Sequence, residues 1–297
     1  MIKIRDLQYF DAVAEHGHFG RAADACFVSQ PTLSGQIMKL EDQLGLSLFE
    51  RHRKKVMLTP AGEALLVSAR QVLRSAENFE DTAKTLSDPL SGDLHLGLIP
   101  TIAPYLLPHI MAKLSAALPN INFFLHENQT DVLLEQLDEG KLDVLIVSWL
   151  DTMENVERYT LFDEPLVLAS TINHPLAQRD SLTLKDLNGQ WVLTLEDGHC
   201  LRDEALGYCF AAGAKEDSRF QATSLETLRY MVASGMGITL IPELAIKEVE
   251  HGLRYTHFDA PVPSREICLL VRPNYSRMEC VRAMVASVRT SMADYIK

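Results

Sequence analysis

The chain has 297 residues, 47% hydrophobic and 23% charged, with a formal net charge of −12. That is the composition of a soluble globular protein long enough for two or more domains, and its acidity excludes non-specific nucleic-acid binding by the chain as a whole. No apolar run approaches the ~18 residues of a membrane span, MIKIRDLQYF is no signal peptide, and five cysteines, an odd number, argue against a stapled scaffold, so a cytoplasmic protein is expected.

The charge is uneven. Residues 1–60 hold eight Lys and Arg against seven Asp and Glu, so any nucleic-acid contact belongs there. Leu7, Phe10, Val13 and Ala14 form a helical stripe ending near Gly17. A short helix follows over 19–26, where Ala22, Ala23 and Ala25 allow close crossing. Ser29 is a good N-cap and Pro31 is tolerated in a first turn. Leu33, Ile37, Leu40 and Leu44 then face inward, with Thr32, Ser34 and Lys39 on the flanks. This is a helix-turn-helix pattern with small polar side chains at the start of its second helix, as a major-groove reader needs. A purely structural three-helix bundle is the plain alternative. The next segment, FERHRKKVMLT over 49–59, has a basic tip between apolar flanks and reads as a hairpin wing.

The text FGRAADACFVSQPTLSGQIMKLEDQLGLSLFERHRKKVMLTPAG resembles the DNA-binding domain of LysR-type transcriptional regulators. The resemblance implies that Gln30, Pro31, Thr32 and Ser34 approach base edges and that Arg51 and Arg53 approach phosphates. Gly35 stands where many members carry a basic residue.

Thr59 and Pro60 open a long helix. Leu65, Ala69, Val72, Ala76, Phe79, Ala83 and Leu86 alternate spacings of four and three, an a/d seam. Nothing just upstream offers this seam a core, so dimerisation is expected. Asp88-Pro89-Leu90-Ser91-Gly92 ends the helix at a hinge.

Beyond it, strand and helix patterns alternate, which argues for a parallel α/β sheet. Strands are expected at 94–99, 121–126, 142–147, 166–169, 191–195, 238–241 and 267–271. Ligand sites in such folds lie at the carboxyl ends of strands. Thr101, Thr130, His199 and Cys200 each follow a strand and are expected to share a pocket. GMGITLIP at 235–242 resembles the effector domains of the same family, which fold into two Rossmann-like subdomains like periplasmic binding proteins. The expected architecture is thus α/β multidomain: a winged helix-turn-helix over 1–59, a linker dimerisation helix over 60–88, a hinge over 89–92, one regulatory subdomain from 93–163 and 267–297, and a second over 164–266.

GHCLRDEALGYC, residues 198–209, holds two cysteines nine apart across a helical segment. Nine helical residues rise ~13.5 Å and turn the side chain to the opposite face, whereas a disulfide needs Cα atoms within ~7 Å. The two thiols can join only if the helix unwinds. Cys200 falls where a strand ends and a helix starts, a position that lowers a thiol pKa, and His199, Arg202 and Arg265 offer further positive charge. Cys200 is a candidate peroxide-reactive thiol; Cys209, beside Tyr208 and Phe210, is the poorer nucleophile. Cys26, Cys268 and Cys280 read as small core hydrophobes. A zinc site through His199, Cys200 and Cys209 lacks the two-residue spacing of zinc motifs, and neither metal nor cofactor is expected.

LEDGHCLRDEALGYCFAAGAKED, ATSLETLRYMVASGMGITLIP and LHLGLIPTIAPYLLPHI resemble the hydrogen-peroxide-sensing branch of the family. That resemblance implies a peroxidatic role for Cys200, a resolving role for Cys209, and a peroxide pocket containing Thr101, Thr130, His199, Asp203 and Arg265. It implies promoter DNA as partner, RNA polymerase contact, a homo-oligomer that is dimeric through the linker helix and tetrameric overall, and oxidation that re-spaces the DNA-binding domains. Glu204 is a departure, a charge placed to tune peroxide reactivity. Two other functions remain open: a regulator responding to a metabolite in the cleft, and a thiol peroxidase.

Overall fold

The computed structural model describes residues 2–52, 55–85, 89–247 and 252–293, and the side chains of these except 51, 52, 55, 78 and 80–85. The chain forms two compact units, 1–87 and 88–297.

In the first unit, α1 (Ile4–His16) buries Tyr9, Phe10 and Val13 and ends at Gly17 in the left-handed region. His18 caps α2 (Phe19–Ala25), its Nδ1 accepting from the Gly20 and Arg21 amides. Ser29 caps α3 (Gln30–Leu44), accepting from the Thr32 amide at 3.3 Å. Leu33, Ile37 and Leu40 of α3 are buried against α1 and α2. Strands β1 (Phe49–His52) and β2 (Lys55–Leu58) pair antiparallel as the wing. The Thr59 hydroxyl accepts from the Gly62 amide at 2.9 Å and so caps α4 (Pro60–Thr85). Gly62 is required sterically, since a Cβ there would lie 2.2 Å from the Leu48 carbonyl oxygen.

The start of α4 differs from expectation. A core does cover it: Ala69 is buried, Leu65 and Leu66 pack on the same cluster as α1, and Arg70 pairs with Asp11 at 2.8 Å. After this anchor Val72 and Phe79 of the seam are exposed, at 48% and 76%, and Ala76 between them is half-buried. The Ala83 side chain and Leu86 lie outside what is described.

The second unit contains one seven-stranded sheet and one two-stranded sheet. Strands β3 (Ser91–Leu98), β4 (Asn120–Glu127) and β5 (Val144–Ser148) run parallel, connected by α5 (Ala103–Ala117) and α6 (Thr130–Asp138). The 15-residue β6 (Glu157–Thr171) leaves this first lobe for a second. There β7 (Trp191–Leu195), α7 (Cys200–Ala211) and β8 (Lys215–Ala222) form a parallel unit, followed by α8 (Leu225–Ala233), β9 (Thr239–Pro242) and β10 (Leu253–Thr256). The chain returns on β11 (Ser264–Val271) and closes with α9 (Met278–Met292). The sheet is therefore mixed, not purely parallel. Strand β11 is antiparallel to both β5 and β6, and β9 and β10 are antiparallel to β6. A chain that leaves a lobe on one strand and comes back on its neighbour makes the two run opposed.

Two cores result. One gathers β3, β5, α5 and α9 around Leu96, Ile110, Val147 and Met284. The other gathers β6, β7, α8 and β9 around Leu168, Leu193, Val232 and Leu240. Among the described residues no helix is long and apolar enough to cross a membrane.

Candidate redox site at the start of α7

Helix α7 belongs by sequence to the second lobe but is docked on both cores. Leu201, Ala205 and Cys209, four apart, pack into the second core. Cys200, Glu204 and Tyr208 lie on the adjacent stripe, as i, i+4 spacing on one helical face allows; Cys200 and Glu204 reach the other way, while the Tyr208 ring still packs against the second core. Cys200 Sγ lies 2.7 Å from Thr130 Oγ1 and packs in the first core. Glu204 Oε1 accepts from Ser148 Oγ at 2.7 Å, and the Tyr208 hydroxyl donates to the Ser264 carbonyl at 2.9 Å. Both Cys200 and Cys209 are buried free thiols. They sit on different faces of an unbroken helix, so in this state they do not meet.

Beside them lies an ion pair drawn from β11 and β6. Arg265 and Glu164 are each 1% exposed and 2.7 Å apart. Arg265 donates Nε to Glu164, Nη1 to Thr101 Oγ1 at 3.0 Å and Nη2 to the Thr101 carbonyl at 2.9 Å. Glu164 Oε1 also accepts from the Leu244 amide. The two residues are register partners on neighbouring strands, which holds the guanidinium in place.

The electrostatics reverse one expectation. The Cys200 thiol is not depressed; burial pushes it up to about 11, against which the Thr130 bond and the Arg265 charge work only in part. Desolvation of the charged form outweighs the helix N-terminus. His199 supplies no cation either, because its burial lowers its pKa. Arg202 turns away to Glu216 at 2.9 Å and Asp197 at 3.3 Å. Asp203 is not drawn into the pocket: its carboxylate is 65% exposed and lies 3.6 Å from Arg202. Thr101, Thr130, His199, Cys200 and Arg265 are all buried. Glu164 and Ser148 carry no signal in the sequence, since each meets its partner only in the folded chain, 101 and 56 residues away. Cys209, buried in apolar surroundings, is pushed up to about 12.

Gly198 makes the approach to Cys200 possible. It has φ +93°, and an added Cβ would lie 2.9 Å from Gln129 Oε1. Gly198→Ala is expected to destabilise the second unit by ~1–2 kcal/mol, because the side chain of Gln129 can move but the left-handed backbone stays strained. Thermal unfolding of the full-length variant checks this; an unchanged midpoint contradicts it.

In the first unit, Gln30, Pro31 and Thr32 are exposed and Ser34 is half-buried at the opening turn of α3. Arg51 lies on β1, its side chain outside the described atoms, and Arg53 lies outside the described residues. Among the described residues no group of three or more His, Cys, Asp or Glu is placed to hold a metal ion.

A winged helix-turn-helix joined through a long helix to a two-lobed α/β domain is the architecture of a DNA-binding regulator with a sensing domain. The model of the bacterial regulatory helix-turn-helix protein, lysR family, matches residues 4–63, and that of the LysR substrate binding domain matches 87–293. The chain is 50% identical to the DNA-binding transcriptional dual regulator OxyR of Escherichia coli K12, covering 98% of this chain and 96% of that one. A full-length OxyR variant from Pseudomonas aeruginosa superposes with a TM-score of 0.77 at 35% identity, over 97% of this chain and 95% of that one. A solved oxidised form of OxyR matches 71% of this chain and all of its own, at 46% identity and a TM-score of 0.66. The chain belongs to the LysR family of transcriptional regulators and, within it, to the OxyR group.

Proposed function

We propose that this chain is a peroxide-responsive transcriptional regulator whose switch is the Cys200–Cys209 pair. The observation that carries the reading is the docking of α7: one stripe anchors Cys200 to Thr130 in the first lobe, and the other buries Cys209 in the second. A relative at 50% identity is named a hydrogen peroxide-inducible genes activator, which supports peroxide as the signal. Cys200 sulfur attacks one oxygen of hydrogen peroxide and becomes a sulfenic acid. The attacking species is the thiolate, which Thr130 and Arg265 favour against burial; the other oxygen leaves as hydroxide and takes up the proton that the thiol gave up, giving water. The sulfenic acid then condenses with the Cys209 thiol, forming the disulfide and a second water. This second step requires α7 to unwind, which breaks the Thr130, Ser148 and Tyr208 anchors and exposes Cys209. Thr130 and Arg265 polarise the reacting sulfur, Thr101 holds Arg265, and His199 closes the pocket as a neutral ring; Asp203 acts through its charge alone.

Residues 1–59 read promoter DNA through Gln30, Pro31, Thr32 and Ser34, with Arg51 and Arg53 on the backbone. Residues 60–88 pair two chains; the exposed Val72 and Phe79 support this. Residues 89–297 of the sensing part divide into the hinge at 89–92 and lobes built from 93–163 with 267–297 and from 164–266. The working assembly is a cytoplasmic tetramer that contacts RNA polymerase when oxidised. Footprinting of the full-length chain on promoter DNA tests the reading. The protected segment changes in length or phase after dilute peroxide and reverts on reduction; an identical footprint in both states contradicts it.

A further inference from the structure

One residue on the docked stripe of α7 takes no covalent part in the sulfur chemistry, although its charge acts on the Cys200 thiol. Glu204 lies one turn after Cys200 and accepts from Ser148 through Oε1. Its Oε2 is buried without a hydrogen-bond partner. A buried carboxylate with an unpaired oxygen is costly as an ion and much less so as a neutral acid. Arg265 on β11 faces it as a favourable charge, but Glu164 and Thr101 already occupy that guanidinium. Glu164 on β6 and Asp203 on α7 face it as unfavourable charges.

We propose that Glu204 is a positioning residue whose proton belongs to the switch: the neutral acid holds α7 against Ser148 while Cys200 is a thiol, and the carboxyl releases that proton to solvent when the helix unwinds. This rests on the redox reading above. The two thiols are oxidised and peroxide is reduced to two waters as before; the Glu204 proton is additional and passes to water.

The sign follows from burial, which raises the docked carboxyl from its ordinary 4.5 to about 7. The docked state therefore holds an extra proton between those values, and docking weakens as pH rises through them. The disulfide form is favoured by rising pH, by at most about tenfold per unit. His199 acts oppositely: burial lowers its pKa, so on release it regains a proton below its ordinary 6.5.

The test equilibrates the full-length chain in glutathione buffers of fixed ratio from about pH 5.5 to 7.5 and quantifies the Cys200–Cys209 disulfide by mass spectrometry. Both protein thiols, at about 11 and about 12, stay protonated across this range. The wild-type ratio of disulfide to dithiol rises at least about threefold from the acid end to neutrality. Glu204→Gln is flat or falls slightly, as His199 alone dictates. Tyr208→Phe, which loosens the same stripe without touching the carboxyl, raises the ratio at every pH and keeps the slope. Equal slopes in wild type and Glu204→Gln overturn the proposal. Absence of the disulfide in every variant overturns the redox reading itself, and this proposal with it.

Discussion

Cys200→Ser is expected to abolish the response of this chain to peroxide. A serine hydroxyl fits the space of the thiol and can keep the bond to Thr130 Oγ1, so α7 remains docked. The fold cost is that of one polar substitution at a site 3% exposed, ~1–2 kcal/mol. What disappears is the only step that can start the exchange, because oxygen cannot be oxidised as sulfur is. Peroxide-dependent transcription from a target promoter should fall to the unoxidised level. Cys209→Ser separates the two steps: Cys200 still reaches the sulfenic acid, trapped by a dimedone-type probe, but no disulfide locks the helix open. A regulator driven by a metabolite in the cleft would respond normally in both variants, and a Cys200→Ser variant that still answers peroxide would remove the present account.

The second large effect concerns Arg265. Its partner Glu164 is as buried as it is, and the pair also ties Thr101 and the Leu244 amide to the strands that join the lobes. Arg265→Ala leaves a carboxylate in a dry site with no counter-charge. Removing one member of such a pair typically costs ~3–5 kcal/mol. For a unit of this size that lowers the midpoint of thermal unfolding by roughly 10 °C. Replacing both residues by apolar side chains, Arg265→Met with Glu164→Leu, should recover most of that stability, since no unpaired charge remains. It should not recover peroxide reactivity, because the positive charge facing Cys200 is gone. Calorimetry and the rate of sulfenic acid formation read the two effects separately. A single Arg265→Ala variant within 1 kcal/mol of wild type would show that the pair is solvated in solution.

Local features of this molecule are visible in one dimension and long-range ones are not. The Ser29 cap, the Leu33-Ile37-Leu40 stripe and the start of α7 at Cys200 follow from spacing and cap chemistry within a few residues. The antiparallel run of β11 against β6 does not, because alternation of strands and helices carries no direction. Glu164 and Ser148 escape the sequence for the same reason: their partners are 101 and 56 residues away. The expected low-pKa thiol fails instructively. Counting His199, Arg202 and the helix N-terminus near Cys200 ignores which of them is charged and where it points. Burial neutralises the ring, Glu216 captures the guanidinium, and desolvation decides the sulfur. Glu204 is legible as an acidic residue beside the site, but only the fold shows that one of its oxygens is sealed without a partner.

The redox account predicts one covalent change. Full-length protein, reduced and then treated with stoichiometric hydrogen peroxide, is alkylated, digested and analysed by mass spectrometry for peptides joined through Cys200 and Cys209. The account predicts an intrachain Cys200–Cys209 disulfide as the main product, with Cys26, Cys268 and Cys280 recovered as free thiols. Recovery of Cys200 and Cys209 both as alkylated thiols, after peroxide has been consumed, would contradict it.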